Sequence, residues 1–175
     1  MTATPHRVLD ATYPEARRRF LAAAKRAGAR ITTHPHPDTG LDGEELAIDV
    51  AELGAPDAGS ALLIVSATHG VEGYAGSALQ SWWLDERADG APTDEVRIVL
   101  VHGFNPSGFS WVRRVNEDNV DLNRNFVDWS SPPSNVEYGD IADLLVPSAW
   151  SDQVQESTTT ELFERAGEVG LERFQ

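Results

Sequence analysis

The chain has no cysteine among its 175 residues. Disulfides, thiolate metal sites and cysteine nucleophiles are excluded together, so any metal must be held by His, Asp or Glu. Basic residues are scarce: 14 Lys and Arg stand against 28 Asp and Glu, a formal net charge of −14. A nucleic-acid backbone needs a basic face to meet it, and so does an anionic membrane surface, so neither is an expected partner. No apolar run is long enough to span a bilayer, and the N-terminus has no apolar signal core. A soluble, cytoplasmic protein is the expectation, with other export routes left open. Hydrophobic residues make up 41% of the chain, enough for a packed core. The length suggests one domain spanning residues 1–175.

The rest of the chain is organised around Ala61-Leu62-Leu63-Ile64-Val65-Ser66-Ala67-Thr68-His69-Gly70-Val71-Glu72-Gly73. An apolar run bounded by small residues predicts a buried strand over 61–66. The stretch after Gly73 reads as a helix of roughly 73–87. His69 and Glu72 therefore fall on a strand-to-helix connection, where open α/β sheets collect ligands. An imidazole and a carboxylate three residues apart suit a zinc ion. Taken alone, the pair reads rather as a polar surface turn, and the rest of the chain shifts that balance.

In chain order, residues 1–12 read as a loose arm and Tyr13 to Ala27 as a helix. Pro14 lies in the helix's first turn, and Gly28 stops it. His34 and His36 alternate with prolines, which predicts an extended, exposed segment. A strand over 46–51 follows, then a hairpin-like break from Gly54 to Gly59. Trp82, Trp83 and Leu84 on the 73–87 helix read as core. Asp89-Gly90-Ala91-Pro92 breaks the chain before a strand over 96–101, which completes a βαβ unit. His102 to Phe109 reads as a loop, since its glycines and proline disfavour regular structure. His102 is there either a second histidine ligand or a loop histidine bonded to backbone. Ser107 stands outside any Gly-x-Ser-x-Gly elbow, so a serine hydrolase is not supported.

Residues 111–126 gather Arg113, Arg114 and Arg124 in an otherwise acidic protein. Arginine forks bind planar carboxylates at two points. Equally, Glu117, Asp118 and Asp121 can absorb these charges in a salt-bridged loop. Residues 128–150 read as irregular, with a short apolar patch at 141–146. Leu162, Phe163, Ala166, Val169 and Phe174 recur at helical spacing, so a helix is expected from about 152 to 175, with no capping sequence.

His69-Gly70-Val71-Glu72, Asn105-Pro106-Ser107-Gly108-Phe109 and Val120-Asp121-Leu122-Asn123-Arg124-Asn125-Phe126 occur in that order. Together they resemble the zinc carboxypeptidase family, which includes carboxypeptidase A and, more distantly, succinylglutamate desuccinylase and aspartoacylase. The nearest look is to an uncharacterised bacterial carboxypeptidase-like branch. The resemblance covers about residues 45–130. It implies a three-layer α/β sandwich with a mixed, mainly parallel sheet and helices on both faces. It also implies a Zn2+ cofactor held by His69 and Glu72. Asn123 and Arg124 are then the grip on a substrate's terminal carboxylate, and Arg114 the oxyanion donor, with Arg113 the alternative. The implied substrate is a peptide or N-acyl amino acid cleaved next to a free carboxylate.

The family's third zinc ligand is a downstream histidine, and its general base a glutamate further on. No histidine follows His102, and Glu156, Glu161, Glu164, Glu168 and Glu172 come too early for the base. The expectation is therefore a C-terminally truncated domain, inactive by itself and prone to self-association through an apolar sheet edge. The alternative is a catalytically inactive carboxylate-binding module.

Overall fold

The computed structural model describes residues 10–87, 95–134 and 136–170. It divides into two compact units at Phe126/Val127. Residues 1–9 of the arm expected over 1–12, the break at Asp89–Pro92 and the Phe174 end of the terminal helix lie outside the described residues.

In the first unit, α1 (Tyr13–Arg26) forms where its caps demand. Pro14 sits in the first turn, Glu15 lies at the positive end of the helix dipole, and Lys25 and Arg26 lie at the negative end. Its buried face is Tyr13, Ala16, Phe20, Ala23 and Ala24, a helical stripe. Strands β1 (Arg30–Thr39) and β2 (Glu45–Leu53) pair antiparallel across a short turn, closed by Gly40 N–H donating to Glu44 O at 2.8 Å. His34 and His36 thus lie in a strand. The neighbouring prolines coincide with a register shift between Pro35 and Thr39, tolerated because β1 is an edge strand.

Strand β3 (Ser60–Val65), helix α2 (Gly73–Arg87) and strand β4 (Val96–His102) make the expected βαβ unit, and β3 and β4 pair in parallel. The sheet order is β1-β2-β4-β3. β4 inserts between β2 and β3, so the expected hairpin across Gly54–Gly59 is not formed. β2 also pairs antiparallel with β4, so the sheet is mixed, and two of its three pairings are antiparallel. The expectation of a mainly parallel sheet is corrected on that point. The short β1–β2 turn forces an antiparallel pair, and only the helical crossover permits a parallel one.

Helices α1 and α2 lie on one face. Phe20, Ala23, Ala24 and Leu84 pack there against Ala51, Leu53, Ile98 and Leu100. In this unit the two long helices share that face, so they do not build the expected layer on the other. Trp83 packs against this cluster, whereas Trp82, expected in the core, is exposed. A second correction concerns β3. Leu62, Leu63, Ile64 and Val65 were expected to be buried, and all are exposed, Leu63 to 61%. The apolar run makes a strand, but it does not decide how many neighbours the strand acquires, and β3 is the end of the order.

The second unit holds α4 (Val136–Gly139), α5 (Ala142–Leu145) and α6 (Asp152–Val169), so the stretch expected to be irregular contains two single helical turns. Ser151 Oγ caps α6 by accepting from Val154 N–H at 3.2 Å. α6 ends at Gly170, φ 85°, a conformation open to glycine, so the helix has a stop where no capping sequence is expected.

Candidate functional site

Three backbone turns bring the site together. Beyond β3, Ala67 takes a left-handed φ of 59°. Phe104 N–H donates to Ser66 O at 3.0 Å and Asn105 N–H to Ala67 O at 2.9 Å, tying this turn to the segment after β4. His69 follows, then a 3-10 turn over Gly70–Glu72 that leads into α2.

The segment after β4 is the second turn. Here a loop was expected, but Pro106–Ser110 is a short helix, α3. The residues read as helix breakers are in fact its start signals. Asn105 Oδ1 caps it by accepting from Gly108 N–H at 2.8 Å, and Pro106 occupies the first turn. α3 ends in a Schellman turn. Arg113 N–H donates back to Gly108 O at 2.7 Å, with Val112 at φ 52° in the place usually taken by glycine. Val71 N–H donates to Arg113 O at 3.2 Å, which joins the two turns. The third turn bends at Asn119, φ 62°, and delivers Asp121. Among the described residues, each of the three non-glycine residues with positive φ lies two positions before a member of one cluster: His69, Arg114 and Asp121.

That cluster is tightly bonded. His69 Nε2 meets Asp121 Oδ1 at 2.9 Å, and His69 Nδ1 meets Glu72 Oε1 at 3.2 Å. Arg114 Nε–H donates to Asp121 Oδ2 at 3.0 Å, and its guanidinium reaches to 3.9 Å from Glu72. Asn123 N–H donates to Asp121 Oδ1 at 2.9 Å. Burial pushes the Asp121 carboxyl up, but bonds from His69, Arg114 and the Asn123 N–H outweigh it and hold Asp121 below the ordinary carboxylate range. The sequence reading treated Asp121 only as a charge sink. The available signal was the requirement that a ligating imidazole have an acceptor on its other nitrogen.

An ionised Asp121 only accepts hydrogen bonds, so its partner Nε2 carries the His69 proton. The other ring nitrogen, Nδ1, faces the Glu72 carboxylate, as a donor if it carries a proton and as an acceptor if it does not. Two acceptors 3.2 Å apart repel unless a proton or a cation lies between them. His69 and Glu72 thus fit as a pair of metal donors. Asp121 lies on the opposite ring nitrogen, where it fixes the orientation of the imidazole. Among the described residues no group of three or more His, Cys, Asp or Glu is arranged to hold a metal.

The other predicted residues divide. Arg113 donates to Asn119 Oδ1 at 3.1 Å, away from the cluster. Glu117 meets His36 Nε2 at 3.2 Å instead of absorbing an arginine. Arg124 is exposed, and its guanidinium donates to its neighbour's carbonyl, Asn123 O, at 3.3 Å. Asn123 is exposed on the same turn. His102 is the last residue of β4, wholly buried and stacked on Phe20 at 4.3 Å, with Nε2 bonded to Ser77 Oγ at 2.8 Å. It is therefore a core histidine, bonded to a side chain rather than to backbone.

A family model described as "Protein of unknown function (DUF2817)" matches residues 10–175. No curated protein matches. Among solved structures, a Tannerella forsythia glutaminyl cyclase matches at 16% identity and TM-score 0.41, over 79% of this chain and 50% of that one. A Macrostomum lignano glutaminyl cyclase matches at 13% and 0.40, over 58% and 38%. A Zn-dependent exopeptidase from Parabacteroides distasonis matches at 14% and 0.33, over 80% and 50%. The chain spans half or less of each of these structures. Likeness at this level bears on neither activity nor ligand.

Proposed function

The chain belongs to the DUF2817 family, and we propose that it carries the metal-and-carboxylate half of a zinc-dependent hydrolase site acting on a peptide or amide bond next to a free carboxylate. The observation that carries this is His69 held between two carboxylates, with Arg114 bonded to one of them. His69 Nδ1 and Glu72 would hold the ion, and Asp121 fixes the imidazole's proton on the far nitrogen. Zinc bound there supplies electrophilic polarisation of the scissile carbonyl. Arg114 stabilises negative charge developing on that carbonyl oxygen, because its guanidinium is already oriented by Asp121. Arg124, whose fork pairs with no carboxylate among the described residues, receives the substrate's terminal carboxylate, and Asn123 on the same turn assists.

A second reading is a carboxylate-binding module without metal, favoured by the lack of a third ligand among the described residues. Calorimetry separates the two. Titration of a dipeptide with a free C-terminus is expected to tighten when zinc is added, and His69→Ala should abolish that gain. Peptide binding that needs Arg124 and ignores zinc would establish the binding module instead.

A further inference from the structure

We infer that Gly108 is a positioning residue that sets the aim of Arg114 through backbone contact alone. This rests on the reading of Arg114 as the oxyanion donor.

The turn holding His69 and Glu72 lies directly on α3. A Cβ on Gly70 would strike the Gly108 carbonyl group, so two backbones touch where most chains would place side chains. Gly108 faces a different way. A Cβ there would come within 2.5 Å of Asn105 Nδ2, 2.6 Å of Val115 O and 2.9 Å of Arg113 O. Those two carbonyls flank Arg114. The Gly108 carbonyl also accepts the 2.7 Å bond from Arg113 N–H that closes the Schellman turn. The backbone entering and leaving Arg114 is therefore seated on Gly108 from both sides. Arg113 O is in turn the acceptor for Val71 N–H, one residue from Glu72. One methyl group at Gly108 presses on the arginine segment at the Val115 and Arg113 carbonyls and on the Asn105 cap, whereas Gly70 meets Gly108 at its carbonyl, away from that methyl, and His69 keeps its own bond to Asp121. Val112 reaches the same device by another route. Its φ of 52° costs a β-branched residue energy, and proline cannot adopt it. Val112 is half exposed and outside both core clusters among the described residues.

The test is nuclear magnetic resonance of the side-chain N–H groups in the intact chain, which needs no turnover. Arg114 Nε–H, bonded to Asp121, should give a protected signal, and His69 Nε2–H a second one. Gly108→Ala is expected to abolish the Arg114 signal and leave the His69 signal. Val112→Pro should do the same, whereas Val112→Gly, which allows the left-handed turn, should retain both. Loss of both signals together would show general loosening and overturn the assignment, as would an Arg114 signal that survives Gly108→Ala or Val112→Pro. If Gly108→Ala does not fold, Val112→Pro decides. Because the signal reads position alone, failure of the hydrolase reading would appear separately, as zinc having no effect on peptide binding.

Discussion

His102 should make this fold sensitive to mild acid. Its ring is wholly buried between Phe20 and the Ser77 hydroxyl, and it faces Asp49 across the β2–β4 pair. Burial pushes its pKa down from 6.5 to about 4; Asp49 works against that shift and Arg17 with it. The unfolded chain takes up this proton near pH 6.5, and the native state only near 4. Between those values the unfolded state binds more protons, so stability falls as pH falls. At 1.36 kcal/mol per unit, the interval amounts to about 3 kcal/mol, or a few hundredfold in the folding equilibrium. Above pH 6.5 the contribution is fully present, and below about 4 this group adds no further slope. Urea unfolding of the wild type and His102→Gln, at steps from pH 7 to pH 4, isolates the effect, because every other titrating group is common to both. The substitution removes the Phe20 stack and costs a constant amount, while the difference between the two proteins should shrink by about 3 kcal/mol across the range. A difference that stays constant with pH would refute the reasoning.

Arg17→Ala should cost about 3 kcal/mol in urea unfolding at pH 7, because it strands the wholly buried Asp49, which Arg17 meets at 2.7 Å; a loss under about 1 kcal/mol would mean that the Thr33 hydroxyl, which donates to Asp49 Oδ1 at 2.6 Å, satisfies that carboxylate alone. Asp121→Asn should weaken zinc binding by about tenfold to a hundredfold in calorimetry, since it removes the acceptor that fixes the His69 proton. Arg124→Lys should weaken peptides with a free C-terminus about tenfold or more relative to their amides, and equal losses on both would make Arg124 structural.

The two helices and the βαβ unit of the first unit were legible because their signals are local. The Pro14 start, the stripe around Phe20 and the apolar runs over 61–66 and 96–101 need no distant partner to be read. What the sequence hid was neighbourhood. Nothing in Leu62–Val65 says that, among the described residues, β4 alone will pair with it, and nothing in Glu45–Leu53 says that it will pair with β4 in the opposite sense. α3 was misread for a different reason. Asn105 and Pro106 are ambiguous residues, breaking a helix from within and starting one from its edge, and only the hydrogen bond to Gly108 decides. Around the candidate site, the motif spacing drew attention to His69, Glu72, Arg114 and the Asn123–Arg124 turn. Asp121 stayed invisible because its role is relational, a bond to an imidazole 52 residues away in sequence.

The open edge of β3 and the charge of the chain set opposite rules for keeping the protein in solution. β3 offers six residues of uncharged, mostly apolar backbone with no proline to interrupt it, the kind of edge that recruits another strand. A net charge of −14 keeps copies apart in dilute buffer. Added salt shortens the reach of that repulsion, from about 10 Å at 0.1 M to about 3 Å at 1 M, and leaves the edge unchanged. For this chain, salt is therefore the destabilising additive of the colloid, and low ionic strength the condition in which it stays dispersed.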